Sequence, residues 1–191
     1  AVQWIARHAE RFGGDISEVV VGGESAGANL TLGVALSHCV EGLSPESQAI
    51  YDLDLPIKAL APACGLLEVS NTERVNQLQP DMPQLYRDRI AAICSLYIDA
   101  ARASEPLASP LLWFESDAVP SRPIPPMFVG VGDKDPVFSD STRLIEALKL
   151  RGVDGEGVIY SDAIHAFQAF FWQNNARRFW QEQRIFLSQY V

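Results

Sequence analysis

A serine, a carboxylate and a histidine, which together can open a carboxylic ester, each follow a short apolar run in this sequence. The serine is Ser25, in Gly23-Glu24-Ser25-Ala26-Gly27, directly after Val19-Val20-Val21-Gly22 and directly before a helical pattern. Strand, sharp turn and helix, with a serine at the apex, is the context that a nucleophile elbow requires. A turn that tight holds the serine at positive φ, so the residues two before and two after it must be small. Gly23 and Gly27 meet that need. The helix start aims free N–H groups at the place where an oxyanion would form, and the Ala26 N–H is the natural donor. The same pentapeptide could be a Gly-rich turn with an idle serine, so the reading needs an acid and a base elsewhere.

The acid is expected in Gly132-Asp133-Lys134-Asp135-Pro136, which follows the apolar Met127–Val131. The base is expected in Asp162-Ala163-Ile164-His165-Ala166-Phe167, which follows Val158-Ile159-Tyr160. In a parallel α/β sheet the carboxyl ends of the strands line the ligand crevice, so Ser25, Asp135 and His165 all reach one edge. Their spacing of 110 and 30 residues leaves room for the intervening strands and helices. Ser25 would attack a carbonyl carbon, His165 would take its proton and return it to the leaving group, and Asp135 would fix the imidazole tautomer. Asp133 is the competing acid. Asp135 is preferred because Asp-Pro sits at the strand-to-helix turn, while Asp133 suits a turn residue bonding backbone N–H groups. Glu24 reads as an anchor in the elbow with no proton to move, and Asp162 as loop polarity. His8 reads as a solvated surface residue and His38 as a partner of a helix C-terminus.

The elements that must position these groups follow from periodicity. Val2, Ile5, Ala9 and Phe12 predict a helix over residues 1–12, stopped by Gly13-Gly14. Leu32, Ala35, Leu36 and Cys39 form the buried stripe of the helix after the elbow. Residues 43–56 read as a loop, and Ile57–Leu66 as a strand covered on both faces. Residues 68–104 read as a polar excursion, a cap over the site, with one helix striped by Tyr86, Ile90, Ile93, Tyr97 and Ala100. Ala108-Ser109-Pro110 and residues 119–126 read as Pro-rich connectors. Ser139 or Asp140 is expected to cap the next helix, which buries Leu144, Ile145 and Leu148 and ends at Gly152. The closing helix is expected to carry Phe167, Phe170, Phe171 and Trp180 on one face. The order predicts an α/β fold with a mostly parallel sheet: a core of residues 1–67 and 105–191, and a cap of residues 68–104.

With 191 residues, 48% of them hydrophobic and 20% charged, the chain suits one globular domain with a real core. A net charge of −9 and the lack of a basic stripe argue against nucleic acid and anionic membrane as partners. No apolar run approaches the length of a membrane span. Cys39, Cys64 and Cys94 lie in apolar settings without C-x-x-C spacing, which predicts buried free thiols and a reducing compartment, the cytoplasm.

The chain resembles the bacterial hormone-sensitive-lipase-like esterases of the α/β-hydrolase fold. The matching pieces are Gly23-Glu24-Ser25-Ala26-Gly27-Ala28-Asn29-Leu30, Ala108-Ser109-Pro110-Leu111-Leu112, Asp135-Pro136 with Asp140 after it, and Ile164-His165-Ala166-Phe167. Similarity runs from the first helix to the last, and Ala166 stands where the family usually has glycine. The resemblance implies a carboxylic-ester hydrolase acting on short or medium acyl esters, with no metal or organic cofactor.

The family also carries a His-Gly-Gly-Gly segment upstream of the elbow that completes the oxyanion hole. The sequence holds only 24 residues before Ser25 and no such segment among them. At about 30 residues per strand–helix–strand unit, the expectation is that on the order of 100 residues of the family's fold are lacking. The serine side of the sheet is then expected to be a bare edge, through which the chain dimerises or aggregates near Val19–Gly22. Weak or no activity is expected of the chain alone. Two other readings stay open: a hydrolase-fold ligand-binding protein without catalysis, and a serine peptidase of the same fold.

Overall fold

The computed structural model describes the backbone of residues 1–191 and every side chain except that of Asn76. Four apolar stretches form one sheet in the order β1 (Val19–Glu24), β2 (Ile57–Ala63), β3 (Met127–Gly132) and β4 (Gly155–Tyr160). Every neighbouring pair is parallel. The central strands β2 and β3 are buried nearly throughout, while β1 and β4 are the edges. Strand β2 ends three residues before Leu66, because Cys64 takes a positive φ and turns the chain out of the sheet.

Alternation along β3 divides the core in two. Met127 and Val129 join Leu32 and Leu36 of α2 (Ala26–Cys39) and Leu144 and Leu148 of α7 (Phe138–Leu150) on one face. Phe128 points to the other face and joins Phe179 and Phe186 of α8 (Asn174–Leu187). Period-2 side chains and helices on both faces are what a parallel sheet demands.

Several expected elements differ. The helix over 1–12 is α1 (Val2–His8) followed by a 3₁₀ turn (Ala9–Phe12), ended by Gly13 at φ 79°. Val2 and Ala6 pack on the core, while Ile5 and Phe12 are exposed. The expected loop 43–56 contains α3 (Pro45–Tyr51), started by a Ser44–Ser47 capping box and Pro45 in its first turn. The connector after Ala108 begins a short helix, α6 (Pro110–Glu115). The excursion carries two helices, α4 (Glu73–Leu78) and α5 (Gln84–Tyr97). On α5, Ile90 is buried with Cys94, but Tyr86, Ile93 and Tyr97 remain exposed, and Ala100 lies beyond the helix end. The aromatic run before Trp180 does not belong to α8. Phe167 starts a 3₁₀ turn and is buried, Phe171 is exposed, and the helix begins only at Asn174.

Neither Ser139 nor Asp140 caps α7, which starts at Phe138. Asp140 is fully buried and turned toward the excursion instead. Its Oδ2 accepts the N–H groups of Leu67 (2.8 Å) and Glu68 (3.1 Å), and Arg74 of α4 donates to both carboxylate oxygens at 2.9 and 2.6 Å. Asn29 of α2 donates to the carbonyls of Leu66 and Ala108, at either end of the excursion, each at 3.0 Å. Ser109 closes the neck: its hydroxyl accepts from the Val69 N–H and donates to the Ala103 carbonyl.

Two stability measurements follow. Asp140→Asn removes the nearer of the two carboxylates beside buried Arg74, leaving Glu68 at 3.7 Å, and should destabilise the fold by about 3 kcal/mol in urea unfolding. Ala166 sits at φ 57°, in the left-handed region that disfavours a Cβ. Ala166→Gly should therefore stabilise by about 1 kcal/mol, net of the freedom that glycine adds to the unfolded chain.

Candidate active site

Ser25 stands between the last residue of β1 and the first of α2, at φ 57° and ψ −114°. A residue held there costs about 1–3 kcal/mol, so its neighbours must fix it. The Ser25 N–H donates to the Ala63 carbonyl of β2 at 3.0 Å, and its carbonyl accepts from the Ala28 and Asn29 N–H groups. A Cβ on Gly23 would fall inside the contact distance of the Gly27 carbonyl, so only glycine fits at Gly23. A Cβ on Gly27 would meet open space. The steric demand expected of both glycines thus falls on Gly23 alone. Ala26 opens α2, so its N–H is one of the helix-start donors without an intrahelical partner.

Asp135 lies in the turn after β3 and is fully buried. One of its oxygens accepts the Val137 N–H at 2.8 Å, and the two lie 3.0 and 2.9 Å from His165 Nδ1. His165 Nε2 lies 2.9 Å from Ser25 Oγ. Three strand ends thus bring the three expected residues into one hydrogen-bonded line. With Nδ1–H donating to the carboxylate, Nε2 is free to accept the serine proton. Asp133, the competing acid, accepts the Asp162 N–H at 2.8 Å and pins the histidine loop to the β3 loop. Gly132 makes this possible, because a Cβ there would strike the Ala163 backbone. The Lys134 N–H donates to the Ala163 carbonyl at 3.0 Å and completes the seam. Of the other histidines, His8 stacks on Trp4, and His38 lies near the C-terminus of α2.

Burial alone would lower the His165 pKa, but the hydrogen bond and charge of Asp135, with Glu24 beside them, raise it above the ordinary histidine value. Glu24 Oε1 lies 3.5 Å from His165 Nε2, a proximity that the anchor reading did not anticipate. Sequence reasoning also missed Cys64, which follows β2 at the same sheet edge. The strand-end rule that located Ser25 points there too. Cys64, Asp135 and His165 bring potential metal-binding atoms within 4.8 Å of one another. Burial pushes the Cys64 thiol pKa well up, and Asp135 is already engaged by His165 and Val137, so the trio does not suit a cation. All three cysteines are free and buried, as expected.

Two cavities flank the line. One of about 640 Å³ lies between Leu78, Met82 and Tyr86 of the excursion and Pro136, Ile164 and His165. The other, about 90 Å³ and almost wholly apolar, is lined by Ala26, Leu30, Leu66, Val69, Ile93 and Tyr97. The excursion reaches the acid itself, since Gln79 Nε2 donates to the Asp135 carbonyl at 2.9 Å. Among the described residues no helix is long and apolar enough to cross a membrane.

This architecture recurs in known proteins. Over 98% of its length the chain superposes on an esterase from Pyrobaculum calidifontis, with a TM-score of 0.75, 24% identity and 58% of that chain covered. It superposes over its whole length on carboxyl esterase 2 from the fungus Tuber melanosporum, with a TM-score of 0.77, 20% identity and 60% of that chain covered. In sequence it is 29% identical over 170 residues to Esterase LipQ of Mycobacterium tuberculosis, covering 89% of this chain and 37% of the relative. It is also 29% identical over 177 residues to Carboxylesterase NlhH of the same organism, covering 89% of this chain and 50% of the relative. The chain therefore spans half or less of the length of these two relatives. A family model described as alpha/beta hydrolase fold matches residues 1–169, a span that takes in the elbow, the acid and the histidine, and the chain belongs to that family.

Proposed function

We propose that this chain carries the catalytic machinery of a carboxylic-ester hydrolase acting on short to medium acyl esters. The observation that supports the reading most is the unbroken hydrogen-bonded line from Ser25 through His165 to buried Asp135. The names of the two sequence relatives, an esterase and a carboxylesterase, point the same way.

In this reading Ser25 Oγ attacks the ester carbonyl as its proton passes to His165 Nε2. The Ala26 N–H meets the developing oxyanion, and His165 returns the proton to the departing alcohol. Water then repeats the sequence on the acyl-enzyme. Residues 68–104 act as the cap, whose Leu78–Tyr86 segment faces His165 across the larger cavity. Ala26 is the oxyanion donor assigned, and removing one such donor costs about 10²–10³ in rate. The three buried free thiols suit a reducing compartment such as the cytoplasm, and the net charge of −9 disfavours nucleic acid as a partner.

Hydrolysis of p-nitrophenyl butyrate tests this reading. Turnover should fall to background in Ser25→Ala, while equal rates in both chains would favour a ligand-binding protein. His165 must be neutral to accept the proton, and Asp135 and Glu24 hold its pKa above the ordinary histidine value. The rate should therefore drop on acidification with a midpoint above that of an ordinary histidine. A rate constant down to pH 5 would remove His165 from the role of base.

We also propose that two copies associate through β1. Beside that edge strand lies an apolar groove of about 450 Å³ lined by Val20, Ala61, Phe179, Trp180 and Leu187. Sedimentation should show a dimer that Val20→Lys converts to monomer, and a well-folded wild-type monomer would end this proposal.

A further inference from the structure

Glu24 is the one residue of the elbow whose chemistry the triad does not use. It is the last residue of β1, partly exposed, and stands directly before the turn at Ser25. Its Oε1 stops 3.5 Å from His165 Nε2, while Ser25 Oγ occupies the same nitrogen at 2.9 Å. The imidazole thus lies between two carboxylates, Asp135 at Nδ1 and Glu24 at Nε2.

We propose that Glu24 is a positioning residue that stabilises the imidazolium form of His165 from the Nε2 side. The inference rests on the triad reading above. In the resting state Nε2 offers a lone pair, to which a carboxylate oxygen at 3.5 Å gives nothing. When the Oγ–C bond forms, the serine proton moves to Nε2, the ring gains a full positive charge, and its new N–H has a carboxylate within reach. When the proton passes to the leaving alkoxide, that attraction is lost again. Glu24 therefore favours the charged, transition-state-like form over the ground state, which is the kind of contact that raises kcat and leaves KM alone.

Other charged and titratable groups surround the ring. Asp135, Asp133 and Lys134 come from the loop after β3, Cys64 from the end of β2, and Asp162 from the histidine's own loop. Asp81 and Tyr86 of the excursion line the same cavity as His165. Asp133 is committed to the Asp162 N–H, burial keeps Cys64 protonated, and among the described residues only Asp135 and Glu24 form ion pairs with the ring. Glu24 is 42% exposed and His165 34%, so solvent screens the pair and the effect is moderate.

The test is an NMR titration of the histidines in the 191-residue chain, with His8 as the internal control. Glu24→Gln keeps the shape and removes the charge. It should lower the His165 pKa by about one unit, tenfold in protonation, and leave His8 in place. Glu24→Asp keeps the charge and should retain most of the wild-type value. An unchanged His165 pKa in Glu24→Gln, or equal values for the Gln and Asp variants, would overturn the proposal. In hydrolysis, Glu24→Gln should lower kcat about tenfold at constant KM and move the acid limb of the pH profile to lower pH, since less charge favours the neutral ring. A role confined to anchoring the elbow would move neither pKa nor acid limb. The titration needs no turnover, so a chain without Ser25-dependent hydrolysis would end the esterase reading while the Glu24–His165 coupling was still decided.

Discussion

The fully buried carboxylate of Asp135 is the constraint to which the rest of the site answers. A carboxylate taken out of water costs several kcal/mol unless hydrogen bonds and a counter-charge replace its hydration. Here the replacements are the Val137 N–H and the His165 ring. His165 arrives from a different strand, so the acid is tolerated only if the loops after β3 and β4 are locked together. Gly132, Asp133 and Lys134 supply that lock against Ala163 and Asp162. Once the ring is fixed by Asp135, its other nitrogen points at the apex of the elbow, where Ser25 is held by its own bond to β2. The strain at Ser25, the glycine at Gly23 and the seam between two loops all follow from placing one charge in the dark and requiring it to orient a ring.

A second buried aspartate, five residues on, does a different task by the same physics. Asp140 faces away from the triad and gathers two backbone N–H groups and the Arg74 guanidinium. The excursion is thereby fastened at its base to the helix that follows the acid. Asn29, four residues after Ser25, fastens the neck from the other side. The residues that position the chemistry and those that hold the excursion over it are thus interleaved in sequence on the same two elements. A change in the excursion can reach the acid along a short path, through Gln79 and the Asp135 carbonyl.

Much of this was legible in the sequence. The elbow could be read because strand, turn and helix are local patterns and the pentapeptide names its own apex. Asp135 and His165 could be read because parallel strands send their carboxyl ends to one edge, and the assignment of Asp133 as a turn residue came from the same turn chemistry. What failed was non-local or depended on small cues. Helix α3 was announced by Ser44-Pro45 but hidden in a stretch taken for loop. Asp140 looked like a cap because its position suits one, yet a partner 66 residues away claims it. The aromatic run from Phe167 to Trp172 mimicked a helical face, but the left-handed Ala166 and the buried Phe167 put a 3₁₀ turn there instead. Glu24 reads as an anchor in the elbow with no proton to move, because nothing local in the sequence brings it beside a histidine that arrives from another strand.

The central claim is that Ser25 is a nucleophile activated by His165, and covalent chemistry tests it most directly. The chain would be treated with a serine-reactive alkyl phosphonate and the adduct located by peptide mass spectrometry. The account predicts one adduct, on Ser25, formed at a rate that collapses in His165→Ala while the fold persists. Labelling spread over other serines, or a Ser25 adduct that forms equally fast without His165, would contradict it.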